Sequence, residues 1–292
     1  MQLSLSPSFA SHVPPKGQLL KWVGNKQRFA AEICKFFPDR INRFYEPFLG
    51  SGAVLATYRP DIGIGADVFS PLIDIWKELA KNPESLKNWY SERRDRIIEE
   101  DKKDVYSSVL ASFNRKHNGP DFLFLTRSCY GGIIRFRKSD GYMSTPCGPH
   151  NPISSDSFSK RVNEWHQRMK NNTFVHSDFE QMFIDAKRGD LIYCDPPYVD
   201  SQGILYGAQL FQLSRLMKSI DEAKSRGVKI VLSIDGTKKS GNHLCDVEIP
   251  DNLFETEAVI KVGKSMLKRF QIEGQKAHDE EVTDRLLLTY AL

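Results

Sequence analysis

Residues Leu191-Ile192-Tyr193-Cys194-Asp195-Pro196-Pro197-Tyr198 run from an apolar stretch directly into an acid, two prolines and an aromatic. At the carboxyl end of a strand, where α/β proteins place their ligands, these residue types suit the activation of an exocyclic amino group on a nucleobase. Such a nitrogen is a poor nucleophile because its lone pair is delocalised into the ring. A carboxylate on Asp195 accepting one amino hydrogen and a carbonyl such as that of Pro196 accepting the other draw it toward sp³ geometry, and a dry pocket strengthens both acceptors. Pro196 and Pro197 stiffen the loop and remove two competing donors. Tyr198 offers a flat face on which an extruded base can stack, worth about 1–3 kcal/mol. A particular tetrapeptide occurs by chance in a chain this long on the order of 10⁻³ of the time, so the loop carries information. The plainer reading is a Pro-Pro turn that closes a strand, with Asp195 as a helix cap. The chemical reading fails if Tyr198 points away from any cavity or if Asp195 is locked in a buried ion pair.

A second segment, Tyr45-Glu46-Pro47-Phe48-Leu49-Gly50-Ser51-Gly52-Ala53, pairs two glycines between a strand and a helix. Glycine there lets a ligand approach backbone N–H groups at a helix start. The third glycine of G-x-G-x-x-G is missing and no Gly-Lys-Ser/Thr follows, which disfavours a phosphate loop. Asp67, at the end of the next strand, is placed to accept hydrogen bonds from ribose hydroxyls. Alone, the turn fits a structural connection as well as a nucleoside site.

The elements that must position these residues follow from periodicity. A helix is expected from an N-cap at Asn25 to Pro38, with Phe29 and Ile33 on one stripe. Strands at 43–48 and 61–66 flank a helix at 53–58, the pattern of a βαβ unit on a parallel sheet. The alternation then stops. Helical patterns fill 71–118, 121–132 and 158–169, and 133–146 reads as a hairpin turning on Lys138-Ser139-Asp140-Gly141. Strands resume at 173–176, 191–194 and 228–234, with helices at 179–186 and 209–226, and 255–262 with 286–290 close the chain. The sketch is one α/β domain, split into 1–70 and 171–292, carrying a mostly helical insert at 71–170.

The chain has 292 residues, 40% of them hydrophobic and 27% charged, which places it among globular proteins rather than disordered ones. No apolar run reaches the roughly 18 residues a membrane span requires, and the first 15 residues do not read as a secretory signal. Five cysteines without a C-x-x-C pair, and histidines without i, i+3 or i+4 partners, indicate reduced thiols in a cytoplasm and no metal centre. With 41 Lys+Arg against 37 Asp+Glu, net charge decides nothing; its distribution does. Arg127, Arg135, Arg137 and Lys138 fall in an acid-free run with Phe124, Tyr130 and Phe136 interleaved. Lys261, Lys264, Lys268 and Arg269 fall in another.

Asp195-Pro196-Pro197-Tyr198, Phe48-x-Gly50-x-Gly52 and Lys21-Trp22-Val23-Gly24-Asn25-Lys26, in this order, resemble the Dam-type, alpha-class DNA adenine-N6 methyltransferases over nearly the whole chain. The resemblance implies a Rossmann-like sheet dependent on S-adenosylmethionine, with the helical insert recognising double-stranded DNA through its hairpin. Lys21, Trp22, Gly24, Lys26, Gly50 and Gly52 would lie along the methionine end of the cofactor, with Glu46 and Phe48 from the same turn. Asp67, Asp178 and Phe179 would hold its ribose and adenine. Asp195 would bond the flipped adenine's amino group for direct methyl transfer. Arg127, Tyr130, Arg135, Arg137, Lys138, Lys264 and Arg269 would contact DNA, as arginines reading guanine or as cations positioning the phosphates.

The sequence also departs from the family. Asn25 stands where a second glycine is usual, Gly131-Gly132 where Asn-Gly is common, and Phe136-Arg137 where a Tyr-Asn pair helps read bases, so target-sequence preference does not transfer. The resemblance implies a monomer on DNA, in a prokaryotic or phage setting, with or without a cognate restriction endonuclease. Cytosine-N4 methylation, glutamine methylation and a catalytically silent DNA-binding relative remain as alternatives. A nicotinamide oxidoreductase would rest on the glycine turn alone.

Overall fold

The computed structural model describes residues 12–137, 139–197, 211–235, 249–264 and 281–292. Strands β1 (Phe44–Glu46), β2 (Gly63–Asp67), β3 (Thr173–His176), β4 (Leu191–Cys194), β5 (Lys229–Asp235), β6 (Thr256–Lys264) and β7 (Glu281–Leu288) form one sheet in the order β3-β2-β1-β4-β5-β7-β6. The first five run parallel, and β7 lies antiparallel between β5 and β6. Strand order reverses between β1 and β4, and in open α/β sheets ligands bind in the crevice that opens there, at the carboxyl ends of the strands. Both strands are buried along their whole length, as apolar runs such as Leu191–Cys194 demand when helices cover a parallel sheet on both faces.

Helices α1 (Ala30–Cys34), α2 (Ala53–Tyr58), α8 (Phe179–Asp185) and α9 (Leu213–Ser225) accompany the strands. Between β2 and β3 lie α3 (Ser70–Lys81), α4 (Pro83–Arg94), α5 (Lys102–Arg115), α6 (Gly119–Ser128) and α7 (Ser155–Met169). Several of these helices start on side-chain caps that the sequence supplies: Asn82 on α4, Asp101 on α5, Asn118 on α6 and Ser154 on α7. The core runs without a break from the sheet into this helical segment: Trp76 of α3 contacts Trp165 of α7 and Phe174 of β3.

The first helix is shorter than expected. Asn25 Oδ1 accepts the N–H of Gln27, an Asx turn rather than a helix cap, and only Ala30–Cys34 is α-helical. The expected hairpin is present in irregular form. Phe136 bridges Met143, Arg137 N–H donates to the Tyr142 carbonyl and Ser144 N–H to that of Arg135, with Gly141 at φ +67° in the turn.

Candidate active site

A half-open cavity of about 180 Å³ lies at the carboxyl ends of β1, β2 and β4, where the strand order predicts a site. One wall is the glycine turn after β1. Gly50 adopts φ +44°, its N–H donates to Asp67 Oδ2 at 3.2 Å, and its carbonyl accepts the Trp76 indole N–H. Asp67 Oδ1 also accepts the Phe69 N–H. Burial pushes the Asp67 carboxyl up to about 6, against the pull of those backbone N–H groups. Trp22, whose indole lies against Gly50, and Gly24, both from the segment before α1, also line the cavity.

An aromatic wall follows. Phe48 and Phe179 stack at 5.2 Å, and Phe211 meets both edge-on. Asp178 caps α8 through the Glu180 N–H and pairs with Arg215, whose guanidinium lies 5.2 Å over Phe179. Glu46 reaches the cavity but is 3% exposed; its Oε2 accepts the Leu55 N–H, serving the first turn of α2, and burial raises its pKa well above the usual range.

Asp195, Pro196 and Pro197 form the remaining edge. Asp195 is paired but not locked away: Lys26 Nζ lies 3.2 Å from Asp195 Oδ1, while the carboxylate lines the cavity. The same ammonium lies 2.7 Å from Asp284 Oδ2. Among the described residues one cation lies between two carboxylates, an excess of negative charge, and the Asp195 side chain, 17% exposed, still lines the cavity. Burial alone would lower the Lys26 pKa; Asp195 and then Asp284 outweigh it and raise it, so the ammonium persists. The pair therefore fixes the carboxylate without neutralising it.

Other assignments are relocated. Lys21 is not among the cavity residues; its stem packs against Gly132 in the segment leading to the hairpin. Gly52 is not among them either, and a Cβ there would press on Met169 and Trp76, so it serves packing. Arg127 is 8% exposed, with its guanidinium donating to the carbonyls of Gln18 and Leu19. Burial pulls its pKa down to about 10. An arginine so placed cannot meet DNA; it fastens the irregular segment that leads into Lys21–Lys26. Arg127→Ala is expected to cost about 2–4 kcal/mol of stability by orphaning buried carbonyls, and to leave the salt dependence of DNA binding unchanged. Thermal melting and binding titrations at several salt concentrations check both halves.

Tyr130 and Arg135 stand exposed at the hairpin, as DNA contacts must. Arg137 is exposed too, but it pairs with Asp140 at 2.6 Å and stacks over Tyr142 at 4.2 Å. The acid just past the basic run takes up part of its charge. Lys264 ends β6, and its side chain, with Lys138, Tyr198 and Arg269, lies outside the described residues. The sequence reading missed Phe136, which reaches the cavity from the hairpin, as well as Phe69, Phe211 and Asp284. Asp284 alternates with the buried Leu286 and Leu288, and an acid in phase with core leucines was its signal.

A model of D12 class N6 adenine-specific DNA methyltransferases matches residues 22–266. The chain belongs to this family. Its seven-stranded mixed sheet is consistent with the S-adenosylmethionine-dependent methyltransferase fold. Similar proteins include the retron Ec67 DNA adenine methylase of Escherichia coli, 32% identical over 62% of this chain and 63% of that protein. The DNA adenine methylase of Vibrio cholerae is 25% identical over 73% of this chain and 79% of its own. The type II methyltransferase M.MjaIII of Methanocaldococcus jannaschii is 29% identical over 73% and 82%. The chain thus spans less than two thirds of the retron protein and about four fifths of the other two. The D12 family and these adenine methylases do not favour the cytosine alternative. Among the described residues no group of three or more His, Cys, Asp or Glu is arranged to hold a metal, and no helix is long and apolar enough to cross a membrane.

Proposed function

We propose that this D12-class chain methylates adenine N6 in double-stranded DNA, with S-adenosylmethionine as methyl donor. The observation that carries the reading is Asp195 on the same cavity wall system as the glycine turn and Asp67. The residues suit the donor. A Cβ on Gly50 would fall 2.8 Å from the Trp22 indole nitrogen, so only glycine leaves this cradle open. Trp22, Gly24 and the Gly50 turn would hold the amino-acid end, Asp67 the ribose, and Phe48 with Phe179 the adenine. When bound, S-adenosylmethionine supplies a methyl carbon on a positively charged sulfur, which departs as a thioether.

This chain's own groups do the rest. Asp195 and the Pro196 carbonyl accept the two amino hydrogens of an extruded adenine, freeing the nitrogen lone pair. Lys26 keeps Asp195 ionised and in place, and the excess negative charge of the cluster favours the positive charge that develops on the nitrogen. The carboxylate can then take the proton that the methylated nitrogen releases. Tyr198 would stack on the base, and Tyr130, Arg135 and Arg137 would meet the duplex.

The test is transfer of labelled methyl from S-adenosylmethionine to unmethylated genomic DNA, followed by nucleoside analysis. N6-methyladenine is expected. Label in N4-methylcytosine, or no label in any DNA, defeats the reading, and DNA binding without label marks a silent relative.

The raised pKa of Asp67 gives a pH signature. Ribose hydroxyls need the ionised acid, so affinity for S-adenosylmethionine should be flat above pH 7 and fall as the pH drops through about 6, approaching tenfold per unit. Isothermal calorimetry across pH 5–8 checks this, and Asp67→Asn should remove the slope.

A further inference from the structure

We propose that Asp284 is a positioning residue for methyl transfer, acting through Lys26 to keep the Asp195 carboxylate oriented and electron-rich; this deepens the function proposed above and rests on it. Three remote parts of the chain meet at one ammonium: the segment before α1, the loop after β4 and the antiparallel strand β7. Asp284 sits in the middle of β7, opposite Asp235 of β5 and Ile260 of β6, and is 4% exposed. A carboxylate is costly at such a position unless paired, and its partner is Lys26.

The two contacts are unequal. Lys26 Nζ lies 2.7 Å from Asp284 and 3.2 Å from Asp195, so the ammonium leans toward the strand and away from the cavity. Were Asp284 neutral, Lys26 would lose its nearer carboxylate, its pull would fall more fully on Asp195, and it would withdraw from Asp195 electron density that the amino hydrogens need. With Asp284 charged, Lys26 is shared and Asp195 keeps its strength as an acceptor. Among the described residues, the other ionisable groups beside Lys26 are Tyr193 and Glu46. Tyr193 of β4 is raised by burial and stays a neutral phenol, its hydroxyl without a hydrogen-bond partner among the described residues, and burial raises the Glu46 carboxyl of β1 well above the usual carboxylate range.

A purely structural Asp284 would affect folding and leave the rate of folded enzyme alone. The test is single-turnover methyl transfer at saturating S-adenosylmethionine and DNA, with donor affinity measured by calorimetry and folding by thermal melting. Asp284→Asn should slow transfer about 10- to 100-fold while changing donor affinity less than about threefold. Asp284→Glu restores the charge and should return to within about tenfold of wild type. The proposal is overturned if Asp284→Asn transfers at the wild-type rate, or if its donor affinity falls as much as its rate. It is also overturned if Asp284→Glu, melting like wild type, is as slow as Asp284→Asn or loses more than about 100-fold. Should Asp284→Asn not fold, the Asp284→Glu rate alone decides. A wild-type protein that labels no DNA defeats the proposed function instead, which separates the two failures.

Discussion

Asp195→Ala is expected to reduce methyl transfer by at least 10²–10³-fold, about 3–4 kcal/mol in the barrier, while the protein stays folded and binds its methyl donor nearly as before. The size follows from what is lost. Asp195 is the charged acceptor on the cavity edge, and without it the amino nitrogen keeps its lone pair in the ring. The survival of the fold follows from the lysine beneath. Removing one member of a buried ion pair normally costs 3–5 kcal/mol because the other is stranded. Here Lys26 keeps Asp284 at 2.7 Å, so the charge left behind remains paired. Asp195→Asn should fall between, since its amide can offer an oxygen but no charge. Single-turnover kinetics with melting curves measure all of this. Near-normal transfer by Asp195→Ala would remove the chemical role of the loop, and an unfolded variant would show that Asp284 alone cannot hold Lys26.

Much of this arrangement was legible in the sequence because it is written in local rules. The β-prone residues at 173–176, the apolar run at 191–194 and the glycine turn mark strands and a helix start, and the structure places these elements at the residues expected. Asp67, Asp178, Phe179 and Asp195 follow from motif positions at strand ends, and the cavity gathers them. What was not legible depends on long-range pairing. Nothing near Arg127 in the sequence reveals that the carbonyls of Gln18 and Leu19, more than a hundred residues earlier, will claim its guanidinium. The partnership of Lys26 with Asp284 spans 258 positions and needs the antiparallel β7 to create it. The partner of Arg137 is close in sequence but lies just past the acid-free run, at Asp140. Phe136 reaches the cavity only because the hairpin folds back beside Phe69, 5.5 Å away.

Gly50→Ala should weaken binding of S-adenosylmethionine by about 30- to 100-fold, or 2–3 kcal/mol, because two strains force the turn and the cavity wall out of shape. The first is backbone conformation: φ at Gly50 is +44°, a left-handed value that costs an alanine about 1–2 kcal/mol. The second is collision. The new methyl would lie 2.8 Å from Trp22 Nε1 and 3.3 Å from Cδ1, and the indole is a rigid plate set edge-on to Phe122 at 6.2 Å. It has to tilt, and it forms part of the cavity wall. The same residue also donates to Asp67 and accepts from Trp76, so relief of the strain by shifting the turn would disturb the proposed ribose acceptor instead. Whichever way the strain resolves, the donor site changes shape. Calorimetry on Gly50→Ala measures the loss, and adding Trp22→Ala separates the causes. The double variant should recover stability, because the collision is gone, yet still bind poorly, because the wall is gone. Wild-type affinity in Gly50→Ala would mean that the methyl donor lies elsewhere than against this turn.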